Sequence, residues 1–198
     1  NIDTLPPSIN KSTKEFSVVK NGDHDGIIFG LGAIKGVGGA AIENIIAERD
    51  AKGEFKSMDD FVSRIDPFKV NKKVFESLIK AGCFDEFGFS RKMLLQNVEN
   101  IVEACKNAAQ IRKNAAESLF GEDDSMNDVK INFVTIDDEF DIKQILKFEQ
   151  ESVGIYLSGH PLDDYKDEIN KIKYTLSSEF ETLPQSAEIL VVGKIEDF

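Results

Sequence analysis

The sequence predicts a mainly α fold, opened by a short β-hairpin and closed by one apolar strand. Three observations predict it. Capped amphipathic runs recur through the middle of the chain. Two of the helix pairs are joined by glycine-containing connectors, one around Gly36 and one over Gly82 to Gly88, which makes a weak internal repeat. Strand-like patterns are confined to the ends, at Phe16 to Val19, Ile27 to Phe29 and Ile189 to Val192.

Leu5-Pro6-Pro7 and Asn10 give an irregular, extended opening, because the proline ring fixes φ and disfavours helix in the residue before it. Asn21 to Gly26 is dense in turn formers and reads as the turn of the hairpin. After the glycines at 30 to 39, Ala41, Ile42, Ile45 and Ile46 share one helical face, with Gly53 as a stop. Ser57 caps a short helix carrying Phe61, Val62 and Ile65, which Pro67 ends. Asn71 caps the next, with Val74, Phe75, Leu78 and Ile79 inward, and Gly82 breaks it. Ser90 caps one long helix with the stripe Leu94, Val98, Ile101, Val102, Cys105 and Ala109. Residues 116–138 are acidic and loop-like. A last helix is predicted from Phe140 to Leu157, ended by Gly159-His160-Pro161, before Leu183-Pro184 leads into the terminal strand.

The 198 residues carry a formal charge of −12, with a hydrophobic content of 41% and 30% charged residues, which fits a folded chain and not a disordered one. No apolar stretch approaches the ~18–20 residues of a membrane span. Cys83 and Cys105 form neither a disulfide scaffold nor a C-x-x-C pair, which points to a reducing compartment. The chain begins without a secretory signal, and its last strand lacks a following partner, so it reads as an excised piece of a longer protein. The charge argues at first against nucleic acid, but it is uneven. Residues 1–115 hold 17 Lys/Arg against 16 Asp/Glu, residues 69–115 hold 9 against 5, and residues 116–198 hold 7 against 20. Phosphate contact, if any, belongs to the first part.

The glycines at 30 to 39 carry the strongest chemical signal. A turn with Gly36 and Gly38 at a helix start exposes backbone N–H groups, where the positive end of the dipole favours a phosphate oxygen. Val37 pins the turn to the core, Lys35 adds a cation, and Gly39 keeps the approach open. A tight helix–helix corner is the plain alternative. A dinucleotide loop is disfavoured by the spacing Gly30-x-Gly32-x-x-x-Gly36 and by the lack of βαβ alternation. The second connector lacks Gly-x-Gly and carries Asp85 and Glu86. Its basic flanks, Lys72, Lys73, Arg91 and Lys92, fall at helix N-termini against the dipole preference, which a phosphate partner would explain; a packing repeat without DNA contact, with ordinary solvated surface charge on its flanks, is the alternative. Ala116-Glu117-Ser118-Leu119-Phe120 puts two large apolar side chains in a polar linker, as a peptide docking into a pocket does, or as a staple folding back on its own domain. No catalytic constellation and no metal site emerge. His24 and His160 sit in turns, and the acidic pairs Asp59-Asp60, Asp137-Asp138 and Asp163-Asp164 read as caps and loops.

Ile28 to Gly38, Ile-Phe-Gly-Leu-Gly-Ala-Ile-Lys-Gly-Val-Gly, closely resembles the helix-hairpin-helix segment of the bacterial replicative (C-family) DNA polymerase III alpha subunits. Leu5 to Asn10, Leu78 to Asp85 and Gly154 to Leu162 are similar to further blocks of that family in the same order. The resemblance implies a tandem helix-hairpin-helix fold. It divides the chain into the end of the fingers (1–30), a DNA-binding region (31–115), an acidic linker with a clamp-binding motif (116–138), a helical connector (139–182) and the first strand of an oligonucleotide-binding (OB) fold cut short (183–198).

It further implies duplex DNA, the sliding clamp (the beta subunit) and other replisome subunits as partners, and a cytoplasmic, nucleoid-associated site of action. The whole protein would be a DNA-directed DNA polymerase needing magnesium. This piece would bind no cofactor and be inactive alone. The clamp motif of the family is Gln-x-Ser/Asp-Leu/Met-Phe; Ser118, Leu119 and Phe120 match it, while Ala116 replaces the Gln and loses its amide. The competing class is a free-standing helix-hairpin-helix repair adaptor or an acidic protein-interaction module.

Overall fold

The computed structural model describes residues 3–22, 24–117 and 129–194, with only the backbone of Ala116 and Glu117. The chain divides into two units, Asn1–Leu157 and Ser158–Phe198.

The first unit opens with a small sheet of order β1-β3-β2, formed by β1 (Asp3–Leu5), β2 (Ser17–Asn21) and β3 (His24–Ile28). β2 and β3 are antiparallel with Asn21 opposite His24, so the turn is shorter than the run of turn formers predicts. Gly22, at φ +63°, permits that tightness. β1 pairs parallel with β3 and was not predicted. Its anchor is Asp3, whose Oδ2 receives Asn21 Nδ2 at 3.0 Å and lies 2.7 Å from His24 Nε2.

The helices follow: α1 (Gly39–Lys52), α2 (Met58–Arg64), α3 (Lys72–Lys80), α4 (Arg91–Gln96), α5 (Val98–Glu117) and α6 (Ile142–Ser152). The predicted caps are made. Asp60 N–H donates to Ser57, Val74 N–H to Asn71, and Met93 N–H to Ser90. Behind them Phe61 meets Phe55, Phe75 and Phe84 edge-on at 4.9, 5.9 and 5.1 Å between ring centres. This aromatic centre joins α2, α3 and the second connector into one core.

Three sequence expectations are corrected. The helix capped by Ser90 is two helices, α4 and α5, divided at Asn97 (ψ 11°). The Asn97 side chain is buried and bonds both backbone groups of Val134, at 2.7 and 2.9 Å, as well as Met93 O. α6 ends at Ser152, before Gly159, because Gly154 takes φ +89° and its N–H caps the carbonyls of Glu149 and Gln150. No strand forms over Ile189 to Val192; among the described residues this segment has one backbone bond, from Thr175 N–H to Leu190 O. One such bond does not make a ladder.

Residues 129–140 run as irregular chain stitched to the helices. Ile131 is buried and its N–H donates to Asp59 at 2.9 Å, while Asn100 donates to Asn132 O at 2.8 Å. The second unit contains α7 (Lys166–Ile169) and 3-10 turns at Asp163–Tyr165 and Ser177–Thr182.

Candidate nucleic-acid interface

The glycine run separates into three jobs. Gly30 and Gly32 face the backbone of Lys14 and Glu15; a Cβ on Gly30 would lie 2.4 Å from Lys14 O, and one on Gly32 2.8 Å from it. They are packing glycines. Gly36 has φ +90°, and a Cβ there would meet Ser77 Oγ at 2.7 Å, so it turns the chain while leaning on α3. Gly38 and Gly39 face open space. Among the described residues nothing demands glycine at these two positions.

That open end is the start of α1. Gly38 is its N-cap and supplies no side-chain acceptor, whereas α2, α3, α4 and α6 are capped by Ser57, Asn71, Ser90 and Asp141. Gly38 O accepts the N–H groups of Ala41 and Ile42, leaving those of Gly39 and Ala40 pointing outward at the positive end of the helix. Val37 is buried below them, bonded through its N–H to Ile34 O at 3.2 Å. Lys35 is held through its own N–H to Ser152 O at 2.8 Å, with its side chain exposed. Lys73 Cε lies 3.8 Å from where a Gly36 Cβ would be, so α3 adds a second cation to the turn. Among the described residues neither Lys35 nor Lys73 has an ion-pair partner. Lys35, Gly36, Val37, Gly38, Gly39 and Lys73 therefore form one cluster.

The other basic candidates are engaged elsewhere. Arg91 is 5% exposed and does not face solvent. Its guanidinium bonds Asp85 at 2.7 Å and the fully buried Glu149 at 3.3 Å, and also reaches Lys80 O. Burial opposes its charge, but the Asp85 and Glu149 carboxylates outweigh that and raise its pKa. A Cβ on Gly82 would strike its Nη2 at 2.3 Å. The assignment of Arg91 to DNA is thus corrected: it fills the second connector and locks α6 to it. Lys72 pairs with Glu99, whose hydrogen bond raises its pKa, and more distantly with Glu76 at 4.0 Å. Lys92 pairs with Asp138 and holds that carboxyl below the usual range.

The start of α4 is also filled. The Glu139 carboxylate accepts the N–H groups of Arg91 at 2.7 Å and Lys92 at 3.0 Å, while Ser90 Oγ donates to Asp138 O. A carboxylate of the chain itself occupies the position where the first hairpin is open. Sequence reasoning missed this, since Glu139 lies 47 residues from Lys92. The clamp-motif residues Ser118, Leu119 and Phe120 lie outside the described residues; Ala116 and Glu117 end α5.

The model of the helix-hairpin-helix motif family matches residues 1–94, which contain the open turn, α1 to α3 and the second connector. Over all 198 residues the chain is 52% identical to DNA polymerase III subunit alpha of Campylobacter jejuni, covering 16% of that protein. It is 41% identical to the same subunit of Helicobacter pylori over 98% of the chain and 17% of the relative. To that of Chlamydia pneumoniae it is 40% identical, over 98% of the chain and 16% of the relative. The chain thus spans about one sixth of the length of the curated relatives it matches. The ordered motifs, the mainly helical fold with its small sheet and the similarity along the whole of this chain agree, and the chain matches one segment of the DNA polymerase III alpha subunits.

Proposed function

We propose that this chain holds duplex DNA without regard to base sequence and ties a replicative polymerase to its sliding clamp. The observation that carries the first half is the uncapped start of α1, with Gly38 and Gly39 open to solvent and Lys35 and Lys73 beside it. Backbone N–H groups and lysines take phosphate oxygens, which carry no sequence information, as a replicase requires. Lys72 and Lys92 contribute at most long-range charge, because each is paired.

The second half rests on Ser118-Leu119-Phe120 and its likeness to the family's clamp motif. Tethering to a ring on DNA raises the local concentration of the polymerase and so its processivity. In the whole protein this region serves a magnesium-dependent DNA-directed DNA polymerase acting in the bacterial cytoplasm with the other replisome subunits. Among the described residues no group of three or more Asp, Glu, His or Cys side chains is placed to hold a metal ion. No helix among them is long and apolar enough to cross a membrane.

The test is calorimetric titration of the chain with the cognate clamp and, separately, with a blunt duplex. Replacing Leu119 and Phe120 by Ala should weaken clamp binding by about tenfold or more, as loss of buried anchors does. Equal affinity of parent and variant removes the clamp assignment. A parent chain with no duplex affinity at low salt removes the DNA assignment.

A further inference from the structure

The side chain least explained by the fold is Phe68, which is 93% exposed, whereas Phe55, Phe61, Phe75 and Phe84 form the centre of the core. Its ring has no part in that packing, yet its backbone is held firmly. Phe68 N–H donates to Asp66 Oδ1 at 2.9 Å, and the N–H groups of Lys69 and Val70 donate to Asp66 O at 3.1 and 2.9 Å. Asp66 N–H in turn donates to Asn44 on α1 at 3.0 Å, and the Arg112 guanidinium of α5 binds Ile65 O at 2.7 Å. Val70 is buried and Asn71 caps α3. The segment is a rigid mount that presents an aromatic ring to solvent.

Its place gives the ring a partner. The mount is bonded to the second turn of α1, the helix with the open start. It leads directly into α3, whose Lys73 lies against the Gly36 turn. Lys73 follows Phe68 by five positions, so their Cα atoms are at most ~18 Å apart. Lys69 is exposed, and among the described residues neither it nor Lys73 has an ion-pair partner, while the Asp66 carboxylate is engaged with the Phe68 N–H. An exposed aromatic ring on a hydrogen-bonded turn, flanked by exposed lysines, matches the face of a nucleobase between its phosphates.

We propose that Phe68 is a stacking contact for an unpaired base beside the duplex held by the Gly36 hairpin, with Lys69 and Lys73 holding the flanking phosphates. This rests on the hairpin holding DNA, and it adds a contact specific to a single-strand–duplex junction. Since the ring is free of the core, its removal leaves the fold intact.

The experiment compares two probes, a blunt duplex and the same duplex with a short single-stranded overhang, against the 198-residue chain. Phe68→Ala should weaken binding to the overhang DNA by about tenfold and leave blunt-duplex binding within about twofold. The chain has no tryptophan, so Phe68→Trp makes a sole reporter, and its fluorescence should be quenched by the overhang DNA and not by the blunt duplex. Equal affinity of parent and Phe68→Ala on both probes, or an equal loss on both, overturns the base contact. If duplex binding responds to Gly39→Ala while Phe68→Ala changes nothing, only the Phe68 assignment fails. If the parent binds neither probe, both it and the hairpin reading fail.

Discussion

The Glu139 carboxylate accepts the backbone N–H of Arg91 at 2.7 Å, and so closes the start of α4 with a charge of the chain's own. The two connectors, alike in outline, thereby differ in what they offer a phosphate. The first presents bare N–H groups and the second presents them already bonded. Glu139→Ala should free two amides and loosen residues 129–140, at a cost of about 1–2 kcal/mol. Hydrogen exchange at Arg91 and Lys92 should accelerate, while duplex affinity does not fall. A loss of affinity would mean that the second connector depends on Glu139 to bind DNA.

The glycines allow stability and binding to be separated. Gly36→Ala forces φ +90° on a residue with a Cβ and crowds Ser77, so the denaturant midpoint should fall by the equivalent of about 1 kcal/mol or more. Gly39→Ala meets no neighbour, and the midpoint should hold or rise. Its added methyl nevertheless stands where phosphate must approach, so anisotropy with labelled duplex at low salt should show weaker binding.

The lysines divide in the same way. Each phosphate neutralised by a free lysine contributes about 0.9 to the slope of log affinity against log salt. Lys35→Ala and Lys73→Ala should each reduce that slope by about this amount. Lys72→Ala and Lys92→Ala remove cations already paired with Glu99 and Asp138, and should change it by less. Equal effects at all four positions would favour a diffuse basic face over a defined turn.

Burial pushes the Cys105 thiol up to about 12 and raises that of Cys83 as well. Folded, both stay protonated where an unfolded chain begins to ionise, so the unfolded state loses protons first. Stability is therefore full below the ordinary thiol range and declines as pH rises through and above it. Thiol-reactive dye should label the native chain only at the rate of global opening, with two thiols appearing together in denaturant.

Local signals were legible where local chemistry decides the structure. Ser57, Asn71 and Ser90 announce helix starts because the cap bonds an amide three residues away. Gly36 and Gly82 announce turns because positive φ suits glycine. Long-range pairing was not legible. Arg91 carries a charge at a helix start, and only the fold reveals that Glu149, 58 residues later, claims it. The same holds for Asn97, an ordinary helix residue by pattern, whose bonds to Val134 divide the predicted long helix. β1 is too short for alternation and sits beside two prolines, so its parallel pairing with β3 left no periodic trace.

The twenty residues of α5 amount to a rod of about 30 Å. It is braced along α2 by Arg112 and Cys105, which bond the carbonyls of Ser63 and Ile65. In sequence, Ser118-Leu119-Phe120 follows its last residue directly. On the proposed reading, the clamp peptide is therefore joined to the folded helices through the end of α5. One turn added to or removed from α5 would change the point and the direction from which the chain leaves the helices toward that peptide.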